Sequence, residues 1–203
     1  KIRKSKELVS LAKFYLGNIS SLITFSSLES TLYISADTVE KFSRYLEDTF
    51  ILFFLKRFSY KFREQEKSPR KVYAIDVGMA YTVGFRFSQN MGRLAENLVF
   101  LDLKRKEMLA SNLEIYYWKD VNHREVDFLI KENLKVKQLI QVCWEVNRPE
   151  TKNREIRALL KAMKEFNLEE GLIITDDYEA EENIKGKKIN YIPLWKWYLK
   201  KDK

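Results

Sequence analysis

One cysteine and one histidine stand among 203 residues, Cys143 and His123. A single thiol forms no internal disulfide, and one histidine with one cysteine does not make a zinc site. This cysteine usage fits a reducing, cytoplasmic setting. No apolar run approaches the roughly 20 residues that a membrane-spanning helix needs. The densest, from Phe50 to Leu55, is far shorter. No signal peptide is recognisable. No glycine-rich phosphate loop occurs, which excludes ATP binding by that route in this chain. The first residue is Lys1 rather than methionine, so a piece of a longer protein is expected.

What is present is enough for a core and a basic surface. Hydrophobic residues make up 45% of the chain, aromatics 14% and charged residues 33%, with a formal net charge of +8. Such a chain folds rather than staying disordered. A basic globular protein favours polyanions, with nucleic acid first among them. The plainer reading of the same composition is a lysine-rich surface of the heat-adapted kind. No internal repeat and no low-complexity segment is visible.

The first stretch, residues 1–84, reads as helices followed by a hairpin. Leu8, Leu11, Ala12 and Tyr15 share one face of a first helix. A second is expected from Ser21 to about Leu32. In YISADTVEKFSRYLEDTF, Ser35 suits an N-cap, and Asp37 and Glu40 suit the first turn, where the helix dipole favours acids. Val39, Phe42, Tyr45 and Leu46 form its apolar stripe, with Lys41 and Arg44 opposite. ILFFLKRFSYKF and RKVYAIDVGM read as two strands joined by a polar turn that ends at Pro69. Three helices and a ribbon make the winged-helix pattern, with Ser35–Glu47 as recognition helix. Lys56, Arg57, Lys61, Arg63, Lys67, Arg70 and Lys71 gather on the ribbon, where a wing meets phosphates. The plainer alternative is a small helical adaptor whose basic wing is idle.

Phe85–Asn90 reads as a linker. Residues 92–203 then follow the order helix, three strands, helix, strand, strand and a last short helix at Trp195. That order predicts an α/β (α+β) fold, a mixed sheet flanked by helices. Strand alternation puts Glu125 and Asp127 on one face, and Gln141, Cys143 and Glu145 on one face of the next strand. His123 reads as a solvated turn residue, Cys143 as a small buried one, and Trp195 and Trp197 as packing groups.

A hydrolytic phosphodiester site needs hard oxygen ligands for magnesium and a nearby cation. Glu96 in GRLAENLVF, Asp127 in EVDFLI and a carboxylate on LIQVCW have the order for it. On these segments the chain resembles the PD-(D/E)XK nuclease-like superfamily. More closely, nearly its whole length resembles the C-terminal region of archaeal AAA+-type ATPases, in which a winged-helix segment and a restriction-endonuclease-like domain follow an ATPase module. SADTVEKFSRYLEDTF, PRKVYAIDVGM, GRLAENLVF, IYYW, EVDFLI, LIQVCW, REIRALLKAMKEF and IPLWKWYL carry that resemblance. It implies Glu96 as the helix glutamate and Asp127 as the metal-binding aspartate. Gln141 stands where the second acid belongs and Cys143 where the lysine belongs.

An amide binds magnesium more weakly than a carboxylate, and a thiol places no positive charge beside a phosphate. Glu145 would replace the acid, with Asp127 and Glu96 as fellow metal ligands. Lys161 or Arg157 would replace the cation. The leading expectation is a DNA-binding, catalytically degenerate region whose partners are DNA and the ATPase module. Two alternatives stay open: a magnesium-dependent DNA endonuclease, and a module that docks on the ATPase.

Overall fold

The computed structural model describes residues 4–83 and 91–199. The linker expected at Phe85–Asn90 lies outside the described residues. The chain divides into two units, residues 1–101 and 102–203.

In the first unit, helix α1 (Ser5–Gly17) buries Leu11, Tyr15 and Leu16. Strand β1 (Ser21–Ile23), helix α2 (Phe25–Leu32) and helix α3 (Ala36–Asp48) follow. The Thr24 side chain caps α2 by accepting from Ser27 N at 3.2 Å, and Tyr33 ends it in the left-handed region at φ 55°. Strand β2 (Leu52–Leu55), the short helix α4 (Phe62–Lys67), strand β3 (Arg70–Ala74) and helix α5 (Val77–Val83) complete the unit. The sheet order is β1-β3-β2, antiparallel throughout, with Ser21 opposite Val72 and Phe54 opposite Val72. The element order of this unit is helix, strand, helix, helix, strand, helix, strand, helix.

The core of this unit joins Leu11, Tyr15, Leu28, Val39, Phe42, Leu46, Leu52, Phe54 and Val72. Tyr15 is wholly buried, and its hydroxyl meets Ser43 Oγ at 2.7 Å, so its polar end is satisfied. Two expectations need correction. The first residues of the expected second helix form β1 instead, because the β3 edge offers them a backbone partner. The polar connection before Pro69 is not a plain turn but α4. Its sequence FREQEK is rich in good helix formers.

In the second unit, the end of helix α6 (Met91–Leu109) leads to β4 (Leu113–Lys119), β5 (Glu125–Glu132) and β6 (Lys135–Val142). Helix α7 (Pro149–Glu165) carries proline in its first turn, where no N–H is needed. Strands β7 (Glu170–Thr175), β8 (Ala180–Ile184) and β9 (Lys187–Pro193) and helix α8 (Leu194–Leu199) follow. The six-stranded sheet has the order β4-β5-β6-β7-β9-β8. β4, β5 and β6 are antiparallel neighbours, whereas β6-β7 and β7-β9 pairs are parallel. β8 lies in what reads as a loop in sequence. It is an edge strand, paired antiparallel with β9 around Gly186 at φ 74°, and AEENI lacks the apolar content of an inner strand.

α7 covers the sheet with Ile156, Leu159, Ala162 and Met163. It approaches β7 so closely that a Cβ on Gly171 would lie 2.8 Å from Met163 Sδ and 2.9 Å from Leu159 Cδ2. Any larger residue there would require Met163 and Leu159 to shift. Among the described residues, no helix is long and apolar enough to cross a membrane.

Candidate functional site

The second unit gathers a polar network at the N-terminal end of β5, the C-terminal end of β6 and the first half of α7. Asp127 is buried on β5, and its Oδ2 accepts from Val142 N at 2.9 Å. Its own backbone N donates to Gln141 Oε1 at 3.2 Å. The Gln141 amide then donates from Nε2 to Glu155 Oε2 at 2.6 Å. The other Glu155 oxygen accepts from Arg154 Nε at 3.0 Å and Nη2 at 2.5 Å. Asp127, Gln141 and Glu155 are all buried, while the Arg154 side chain is largely exposed.

The electrostatics follow from this placement. Burial raises the Glu155 carboxyl above its ordinary range, and the neighbouring Asp127 charge raises it further; Arg154 and Gln141 oppose both. Burial likewise pushes the Cys143 thiol up to about 12, with Glu155 and Asp127 adding to the effect. The thiol is buried just past the end of β6, where its backbone N donates to Ile174 O at 2.8 Å. A thiol so placed is neutral and unreactive at physiological pH.

Strand geometry therefore brings Asp127 and Gln141 together, and α7 adds Glu155 and Arg154. Sequence spacing alone missed both α7 residues. The signal was a glutamate on the inward stripe of α7, beside Ile156 and one turn before Leu159. The residues expected to rescue the site, Glu145, Arg157 and Lys161, are all exposed. Chain alternation ends at Cys143, and Glu145 lies in an exposed turn, paired with Arg148 at 2.9 Å. Arg157 is exposed and bonds the Asn153 carbonyl of its own helix at 3.1 Å; Lys161 is exposed as well. Among the described residues, no three His, Cys, Asp or Glu side chains form a group that could hold a metal ion.

Glu96 belongs to the first unit. Its Oε1 accepts from Lys71 Nζ at 3.1 Å and from the Tyr73 hydroxyl at 2.7 Å. Next to it, Asn97 bonds both the N–H and the carbonyl of Ala74, each at 2.8 Å. α6 is thus locked onto β3 by adjacent polar side chains. This corrects the reading of Lys71 as a surface cation: it is 2% exposed and neutralised by Glu96.

The other candidate phosphate contacts differ in freedom. Arg44 pairs with Glu40 at 2.5 Å, and Lys56 pairs with Glu66 at 2.5 Å. Arg70 joins Glu66 at 3.0 Å and stacks over Phe25, and Arg57 is half-buried. Lys41 is exposed, with its ammonium 5.9 Å from the Tyr45 ring centroid. Lys61 makes an exposed pair with Glu64 at 3.1 Å, which solvent weakens. Arg63 and Lys67 are exposed with no ion-pair partner among the described residues. Residues 56–70 hold six basic side chains against two acidic ones.

The chain thus joins a small unit of three strands and several helices to a six-stranded mixed α/β unit with a buried aspartate on β5 and a buried glutamine on β6. Residues 91–197 match the model of a domain of unknown function, DUF4143, and the chain belongs to that family. Domains of this family are found in the C-terminal region of AAA-ATPase-like proteins. Residues 1–90 match a second domain of unknown function, DUF8612. The chain is 38% identical over 210 residues to the uncharacterized protein MJ1544 of Methanocaldococcus jannaschii, an alignment covering 98% of this chain and 45% of that protein. The chain thus spans less than half the length of that relative. No solved structure matches it.

Proposed function

We propose that this chain is a DNA-binding, non-catalytic region of a larger AAA+-type ATPase. The observation that carries the proposal is the basic segment 56–70 in the first unit, where Lys61, Arg63 and Lys67 are exposed, as is Lys41 of α3. These cations suit the phosphate backbone, the sequence-independent part of DNA affinity. The loss of catalysis rests on the second unit. Gln141 and Cys143 supply neither an anion nor a cation, and Arg154 already neutralises the one added carboxylate.

The test is a salt titration of duplex DNA binding. Affinity falls linearly on a log–log scale as salt rises, and Arg63→Ala/Lys67→Ala lowers the slope by about 2. Binding that is indifferent to salt, or absent at low salt, contradicts the proposal.

One observation favours a second reading, a magnesium-dependent endonuclease. Glu155 brings a second carboxylate to Asp127, and the Asp127 charge raises the Glu155 carboxyl. In that reading Asp127 and Glu155 would hold magnesium, and the ion would polarise the scissile phosphate. Arg154 must first leave Glu155. Cleavage that disappears in Asp127→Ala would support it.

A further inference from the structure

We infer that residues 59–63, the turn before α4 and the first residues of that helix, are a stacking site for unpaired DNA bases, so that the first unit prefers forked or single-stranded DNA to blunt duplex. This inference rests on the DNA-binding reading above. Tyr60 is 82% exposed and Phe62 is 75% exposed, on either side of Lys61 and followed by Arg63. Two large rings held in water amid cations are unlike a folding core. They make no ring contact with each other. Tyr60 rests edge-on against the buried Phe58, with centroids 5.0 Å apart and planes at 79°, while Phe62 has no ring partner among the described residues.

The turn is ordered by its own bonds. Ser59 Oγ donates to Glu64 Oε2 at 2.9 Å and accepts from Lys61 N at 3.1 Å. Gln65 Nε2 donates to Ser59 O at 2.7 Å. The rings are therefore presented by a fixed turn, which reduces what binding must order.

Ring faces and cations together specify the ligand. Every base has a π-face, and aromatic side chains stack on it without regard to sequence. In a duplex those faces are covered by neighbouring bases, and only base edges show in the grooves. Exposed rings therefore gain most from bases that have left the duplex, while Lys61, Arg63 and Lys67 hold the phosphates beside them.

The experiment is fluorescence anisotropy of the 203-residue chain with labelled DNA as single strand, blunt duplex and forked duplex. The fork and single strand are expected to bind more tightly than the blunt duplex. Tyr60→Ala/Phe62→Ala lowers fork affinity by about tenfold or more and leaves blunt-duplex affinity unchanged. Both rings are exposed, so this variant stays folded, and its melting temperature falls only by the loss of the Tyr60–Phe58 contact. Tyr60→Trp keeps the fork preference. Equal loss on fork and duplex, or loss on neither, overturns the inference. Duplex binding without a fork preference overturns this inference alone, whereas no DNA binding by the unmutated chain overturns the DNA-binding reading itself.

Discussion

Glu96 illustrates how a residue with the right chemistry and order finds other work. Its carboxylate holds a buried ammonium, Lys71, and a buried phenol, Tyr73, whose ring stacks on Phe100 at a centroid distance of 4.0 Å. Removing one member of a buried ion pair strands the other charge in a poor solvent. Glu96→Ala is therefore expected to lower stability by about 3–5 kcal/mol, read as a fall in the urea midpoint. A stability equal to the parent's would show that Glu96 is dispensable to the fold and free for another role. Gln141 departs in the opposite way from a metal ligand. Its carbonyl oxygen is spent on the Asp127 backbone and its amide on Glu155, so the side chain bridges β5 and α7.

At the scale of elements, α7 is fixed to the sheet at its two faces. Leu159 and Met163 fill the space that Gly171 leaves, and Lys152 reaches the β8 edge. Glu182 on β8 accepts from Lys152 Nζ at 2.5 Å, from the Tyr191 hydroxyl at 2.9 Å and from the Tyr178 hydroxyl at 3.4 Å. The Lys152 ammonium also lies 4.8 Å from the Tyr191 ring centroid and 5.2 Å from that of Tyr178. Burial raises the Glu182 carboxyl, but the bonds from Lys152 and Tyr191 outweigh it, and the group ends below its ordinary range. An acid depressed by folding stabilises above its unfolded pKa, about 4.3, and that contribution is lost as pH falls through the folded value. Glu182→Gln is thus expected to lower stability at pH 7 by about 1–3 kcal/mol. The gap from the parent closes below about pH 4. Thermal melts of both proteins across pH 3–7 check this; a gap that persists in acid contradicts it.

The elements that were legible in sequence are those with a strong period. α1, α3 and α7 carry apolar stripes, and β4 to β7 carry continuous or alternating apolar runs. β1 was hidden because three residues do not establish a period, and β8 because an edge strand of glutamates resembles a loop. Asp127 and Gln141 were legible because alternation fixes which strand residues share a face. Glu155 and Arg154 were not, because a helix delivers them from 14 residues beyond Gln141, and no spacing rule links strand to helix.

At the scale of the whole molecule, two units divide the work. The first presents exposed cations and exposed rings on a small sheet-and-helix frame, and the second holds a buried polar network in which Arg154 pairs with Glu155. The family match places such domains in the C-terminal region of AAA-ATPase-like proteins, and the chain covers 45% of its relative from Methanocaldococcus jannaschii. DNA binding here would give such an ATPase its grip on nucleic acid, with no need for cleavage at the same site.

The most direct measurement is DNA binding and cleavage by the purified chain with magnesium or manganese, at two salt concentrations, on linear and branched DNA, with Asp127→Ala alongside. The account predicts salt-sensitive binding by both proteins and no cleavage by either. Metal-dependent cleavage by the parent that vanishes in Asp127→Ala would contradict it.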